Sequence, residues 1–289
     1  MVGIKLHGES KTRYLPTALS QCDRQQARDV SHALFAYMGG DIPLNQLNTQ
    51  IVCAVLNLRK TTTKNTDTIN ENLFRLSELL TGFYEHSDDG KLKVLAQFDD
   101  NPFPWLRPML TKYYGPKQIF ENINFGQYVD ALDPFADFAD TGDMIFLDTL
   151  LAILFVPSVT LSRKHKHHSP KAIKQRARTF RSLDIGYKFG FYLYFASFQE
   201  YLQSAKVYRE GRELDLSILF KPLPGEDTAV PSDLPGLGML SLQYAMAQSG
   251  IFGDNDRLRA QPFWNIIPRM YDMRKEDYDK AMAHKKANQ

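Results

Sequence analysis

Cysteine is almost absent from this chain of 289 residues, which holds only Cys22 and Cys53. Neither has a second Cys or a His at metal-ligand spacing, so both are expected to be buried free thiols, in keeping with a reducing interior. An excess of one charge is also missing. Lys and Arg total 35 against 33 Asp and Glu, a net +2 that argues against a nucleic-acid binder working through its whole surface. Long apolar runs are lacking too. The greasiest stretch, Met144 to Val156, carries Asp148 and is well short of the ~20 residues a membrane span needs. The opening MVGIKLHGESKTRYLP has no apolar core of a signal peptide, so neither export nor a membrane anchor is expected.

Catalytic signatures are missing as well. There is no Walker A sequence, no G-x-S-x-G, no H-E-x-x-H and no paired C-x-x-C. Gly236-Leu237-Gly238 lacks both a preceding strand and a third glycine, which excludes a dinucleotide loop. No repeat of fixed period runs through the chain. The expectation is therefore a protein that is not an enzyme, with no cofactor and no metal.

Helices dominate what is present. Their apolar residues recur at three and four: Ala27, Val30 and Leu34; Leu47, Ile51 and Val55; Leu73, Leu76 and Leu80. These give helices from Ser20 or Asp23 to Met38, from Pro43 to Leu58, and from Asn70 to Tyr84. Val2 to Leu6 and Leu92 to Phe98 read as short strands. Asn101-Pro102-Phe103-Pro104-Trp105 is stiff and aromatic, either a packed loop or a docking ridge, with the loop favoured.

Residues 112–157 form the centre of the reading. Tyr114-Gly115-Pro116 signals a turn, and Asn124 caps a helix from Phe125 to Ala139. Asp130, Asp133, Asp137 and Asp140 share one stripe of that helix. Such carboxylates repel one another and need solvent, a cation or a basic partner to offset them. Divalent cations usually require loop cages, so a solvated or salt-bridged face is expected instead. The next helix, Met144 to Val156, is apolar nearly all round and belongs in the core.

From Thr149 to Leu183 there is no acid, while Arg163, Lys164, Lys166, Lys171, Lys174, Arg176, Arg178 and Arg181 are all cationic. Ser162 to Ser169 reads as an exposed basic loop whose three histidines cannot close a metal site alone. Pro170 opens a helix with Ile173, Ala177 and Phe180 inward and Lys171, Lys174, Arg178 and Arg181 outward. This patch can meet an acidic protein face, including the aspartate stripe of the same chain or of a second copy. It can also meet a phosphate backbone; the pairing with acids is preferred.

Ile185 to Lys206 is a ring-rich helix in which Gly186 and Gly190 allow another element close approach. Residues 222–236 hold four prolines and two glycines and read as a linker. The fold class is mainly α: a multi-helix globular domain with a few short strands over 1–221, then a C-terminal helical module over 237–289. In that module Leu237 to Ser249 is one helix, Pro268 disturbs the next, and Arg274 to Lys286 forms a charged tail helix.

The segment Leu110 to Pro116, with Ile123 to Asp130 and Leu150 to Pro157, resembles a set of uncharacterised phage and prophage proteins of Bacteroidetes. They share a YGP turn, an N-x-x-F-G-x-[FY] helix start and an apolar helix ending in proline, over a stretch matching residues 105–202 here. Asp130 stands slightly displaced from the acidic position of that pattern, and the basic loop is unusually rich in His. The resemblance implies a virion or tail-module protein: a tail-assembly chaperone or a structural component, working in the host cytoplasm through contacts with other phage proteins or with copies of itself. The aromatic helix 185–206, the ridge 101–105 and the C-terminal helices are then the expected partner surfaces. A nucleic-acid-binding accessory protein using residues 163–181 is the alternative.

Overall fold

The computed structural model describes residues 1–5, 12–58, 66–80, 82–86, 92–95, 98, 100–157, 169–209, 211–224 and 239–287. Among the described residues the chain is mainly helical, with ten α-helices and only short strands in small sheets. It falls into two compact units: residues 1–118 with 147–197, and residues 119–146 with 198–289.

In the first unit, β1 (Val2–Lys5) and β2 (Thr12–Leu15) form a hairpin ahead of α1 (Arg24–Met38). Asp23 caps α1 by accepting from the amides of Gln25 and Gln26, and Gln26 returns a bond to the amide of Asp23. That reciprocal pair satisfies donors the first turn cannot pair itself. α1 lies against α2 (Leu44–Val55), and α2 against α3 (Thr66–Ser77). The third helix thus ends earlier than its leucine spacing suggests. Tyr84 belongs instead to β3 (Tyr84–His86), which pairs with β4 (Leu92–Val94). Here strand pairing outweighs a local helical pattern.

β5 (Trp105–Leu106), β6 (Tyr113–Tyr114) and β7 (Val156–Pro157) make a three-stranded antiparallel sheet. Leu106 lies opposite Tyr113 and both are buried; Trp105 lies opposite Tyr114 and both reach solvent. Gly115 follows β6 because the ring of Phe155 occupies the space a side chain would need. α6 (Pro170–Phe180) is capped by Ser169, whose hydroxyl accepts from the amide of Ala172. α5 (Met144–Leu154) and α7 (Ile185–Ser204) supply the core of this unit through their residues from Leu147 and up to Ser197. Phe155 meets Phe191 edge-on at 4.8 Å, Phe103 meets Tyr187 at 5.3 Å, and Tyr113 meets Phe180 at 5.1 Å. Such ring pairs add to plain area burial. Gly190 is the expected site of close approach: a Cβ there would lie 2.6 Å from the Phe103 ring and 2.7 Å from Ser31 Oγ.

In the second unit, Asn124 caps α4 (Phe125–Thr141) with a capping box through Gln127, as its sequence position implies. β8 (Lys206–Arg209) and β9 (Arg212–Asp215) form a hairpin followed by a short 3-10 turn, Leu216–Leu219. α8 (Met239–Gln248), α9 (Asn255–Ala260) and α10 (Phe263–Ala287) follow. The division differs from a 1–221 domain with a separate 237–289 module, because main-chain bonds join the C-terminal helices to the start of α4. The Phe125 amide donates to Gln261 O at 2.8 Å, and the Phe263 amide to Ile123 O at 3.1 Å. Phe120, Tyr128, Phe198 and Phe263 are buried together, with Phe120 stacked on Phe198 at 4.2 Å. α10 also runs without a break through Pro268, which lies early in the helix. Of the expected linker 222–236, residues 225–236 lie outside the described ones.

Candidate functional site

The basic segment divides in three. Arg163, Lys164 and Lys166 lie outside the described residues. Lys171, Lys174 and Arg178 on α6, with Arg181 just after it, are exposed, and none forms an ion pair among the described residues. The outward stripe is therefore present. Arg176, which lies off that stripe, turns inward, 6 % exposed, and donates from Nε to Ala152 O at 2.8 Å. Burial pushes its pKa down to about 10, and Nη2 finds no acceptor. This side chain is a structural strut.

The acidic stripe also divides. Asp130 is engaged by Arg259, whose Nη2 contacts both carboxylate oxygens at 2.7 and 2.6 Å. Arg259 Nη1 also donates to buried Gln243, and Gln243 donates to Asn255, so one arginine ties α9 to α4 and α8. Asp133, Asp137 and Asp140 remain exposed. Among the described residues no group of His, Cys, Asp and Glu is arranged to hold a metal ion.

The ring-rich helix α7 corrects another expectation. Phe189, Phe191, Tyr194, Phe195 and Phe198 are buried, so its rings build core rather than a docking face. The cause is that aromatic residues occur on every side of the helix and most sides are covered. Within the ridge 101–105, Phe103 is fully buried while Trp105 is partly exposed. Cys22 and Cys53 form no disulfide among the described residues and are half-buried rather than fully enclosed. Burial, reinforced by Asp23, pushes the Cys22 thiol up to about 12.

Two surfaces were not legible in the sequence. In the first unit, Trp105 and Tyr114 lie side by side across β5 and β6 with two cations on them. Arg24 Cζ lies 3.6 Å from the Trp105 ring centre, and Lys112 Nζ lies 4.4 Å from it and 5.0 Å from that of Tyr114. Strands of two residues leave no alternation to detect. In the second unit, a groove of about 450 Å³ is walled by Leu202, Phe220, Met239, Leu242, Met270 and Met273. Phe220 at its edge is 44 % exposed. Of the polar groups at this groove, Tyr128 and Arg274 are committed, while Ser241 and Asp277 are exposed. The Tyr128 hydroxyl donates to Gln199 at 2.9 Å, and Arg274 donates to the carbonyls of Ile218 and Lys221. No helix among the described residues is long and apolar enough to cross a membrane.

No protein-family model matches this chain, and comparison with curated proteins and with solved structures gives no significant match.

Proposed function

We propose that this chain is a non-enzymatic phage protein that works through protein–protein contacts, as a tail-assembly chaperone or a virion component. The observation that carries the reading is the methionine-walled groove of the second unit. Its occupant is the apolar face of a helix from a phage tail protein. The lining is mostly apolar, and two of its polar side chains, Tyr128 and Arg274, are spent on Gln199 and on the protein's own carbonyls, which favours an apolar helix face over a small polar ligand. Unbranched Met side chains reshape to fit different apolar anchors, a property suited to a surface that must hold and release a partner helix. The phage setting comes from the resemblance over residues 105–202 alone. The alternative, nucleic-acid binding by the basic segment, draws on the exposed and unpaired Lys171, Lys174, Arg178 and Arg181.

The test is site-specific photo-crosslinking from position 220 or 273 in cells producing the particle. The expected adduct contains a tail protein of the same phage and disappears in Ala245→Trp, which fills the groove from its exposed wall. Absence of a tail-protein adduct, or an adduct indifferent to Ala245→Trp in a variant of unchanged melting temperature, overturns the reading.

A further inference from the structure

The cation–aromatic face of the first unit is independent of that groove. Four observations meet there. Trp105 and Tyr114 form a cross-strand pair whose neighbours Leu106 and Tyr113 point into the core, so the two rings stand together on the outer face. Tyr114 is 41 % exposed. Arg24 sits over the Trp105 ring, and Lys112 lies near both rings. Neither cation has a carboxylate partner among the described residues, and Nη1 of Arg24 is buried without an acceptor. Nearby Arg28 is different, because Asp29 holds it through Nε at 2.7 Å.

The basic stripe connects to this face. Ser182, directly after Arg181, places its hydroxyl 3.2 Å from Thr179 O and 3.4 Å from Pro108 O, in the turn between β5 and β6. The exposed cations of α6 therefore end at the hairpin that carries Lys112. From Lys171 to Arg181 the helix rises about 15 Å, enough for several successive phosphates. Resting cations on aromatic rings fixes them in place without neutralising them, since a ring carries no net charge.

We infer that this face of the first unit binds single-stranded nucleic acid. Phosphates run along Lys171, Lys174, Arg178 and Arg181 toward Lys112 and Arg24, and a base stacks on Tyr114 beside Trp105. An acidic peptide would use the cations but has no use for an exposed ring pair. A duplex offers phosphates but keeps its base faces stacked and out of reach. A strand with free bases uses both features. The near-neutral total charge is compatible with this, because the cations concerned are clustered: four lie in a stretch without acids, Thr149 to Leu183, and Lys112 and Arg24 meet on the Trp105 ring.

The test uses the full chain and a fluorescently labelled 15-nucleotide oligothymidylate, read by anisotropy. Binding is expected at 50 mM salt and falls about a hundredfold by 200 mM, as release of counterions from about five phosphates requires. Lys174→Glu with Arg178→Glu weakens it at least tenfold. Tyr114→Ala weakens it about tenfold while Tyr114→Phe leaves it unchanged, which separates stacking from folding and from the hydroxyl. Ala245→Trp leaves it unchanged, so failure here and failure of the groove reading are distinguishable. Absence of binding at 50 mM salt overturns the inference. So does equal affinity for a duplex of the same length, or displacement of the oligonucleotide by polyglutamate at equal charge, which would identify an acidic protein as the partner.

Discussion

Lys188 and Asp148 form an ion pair with Nζ and Oδ1 2.6 Å apart, although the two side chains are only 5 % and 4 % exposed. Lys188 Nζ also donates to the carbonyl of Arg181 at 3.3 Å, tying α7 to the end of the basic stripe. Two charges removed from water are tolerated only together, because each offsets the other's desolvation. Asp148→Leu or Lys188→Met alone is therefore expected to cost about 3–5 kcal/mol. The double replacement Asp148→Leu with Lys188→Met should be close to neutral. Urea unfolding of the four proteins closes the cycle. Single variants that lose less than about 1 kcal/mol would show that water reaches the pair.

That pair also marks how far the chain could be read in advance. The caps at Asp23 and Asn124 and the outward stripe of α6 are local features, set by residues a few positions apart, whereas Gly190 signals close approach without naming Phe103 and Ser31 as what approaches. The partner of Asp148 lies 40 positions away, and that of Asp130 lies 129 positions away. No periodicity encodes such pairings. The Trp105–Tyr114 face depends on strand register, and strands of two residues carry no alternation from which register could be inferred. The ring-rich helix misled for a different reason: aromatic content looks alike in a core and on a docking surface until burial is known.

Alkaline pH should unfold the protein ahead of its other limits. Burial raises the Cys22 thiol from 9.0 to about 12. It also raises the Tyr128 and Tyr194 phenols well above their usual 10.0. Below about pH 9 all three keep their protons in both folded and unfolded chains, so they contribute no pH dependence. Above it the unfolded chain ionises first, Cys22 from 9.0 and the tyrosines from 10.0, while the folded chain still holds the protons. Stability must then fall as pH rises through this window. Tyr194→Phe loses the bond to Lys117 O, about 1 kcal/mol at pH 7, yet makes the alkaline limb shallower. Urea midpoints measured from pH 7 to 11 decide it, and parallel limbs for the two proteins would refute the assignment.

The acidic stripe runs the wrong way for stability. Asp137 and Asp140 lie in the last turns of α4, which ends at Thr141 with Gly142 as a left-handed cap, φ 69°. A helix C-terminus carries partial negative charge, so carboxylates there are opposed by the backbone and by each other. Asp140→Lys is expected to gain a few tenths of a kcal/mol at low salt, and the gain should shrink in 0.5 M salt as screening sets in. The same variant separates two uses of the stripe. If Asp133, Asp137 and Asp140 only face solvent, the stabilised protein keeps all its binding partners. If they meet a cationic face, on another protein or on the α6 stripe of a second copy, stability rises while that association weakens and becomes less sensitive to salt. Thermal melting beside sedimentation of the wild-type and variant chains, each at two salt concentrations, tells these apart. A stability gain with every association kept assigns the stripe to solvent, and a gain paired with a lost, salt-sensitive association assigns it to a cationic partner.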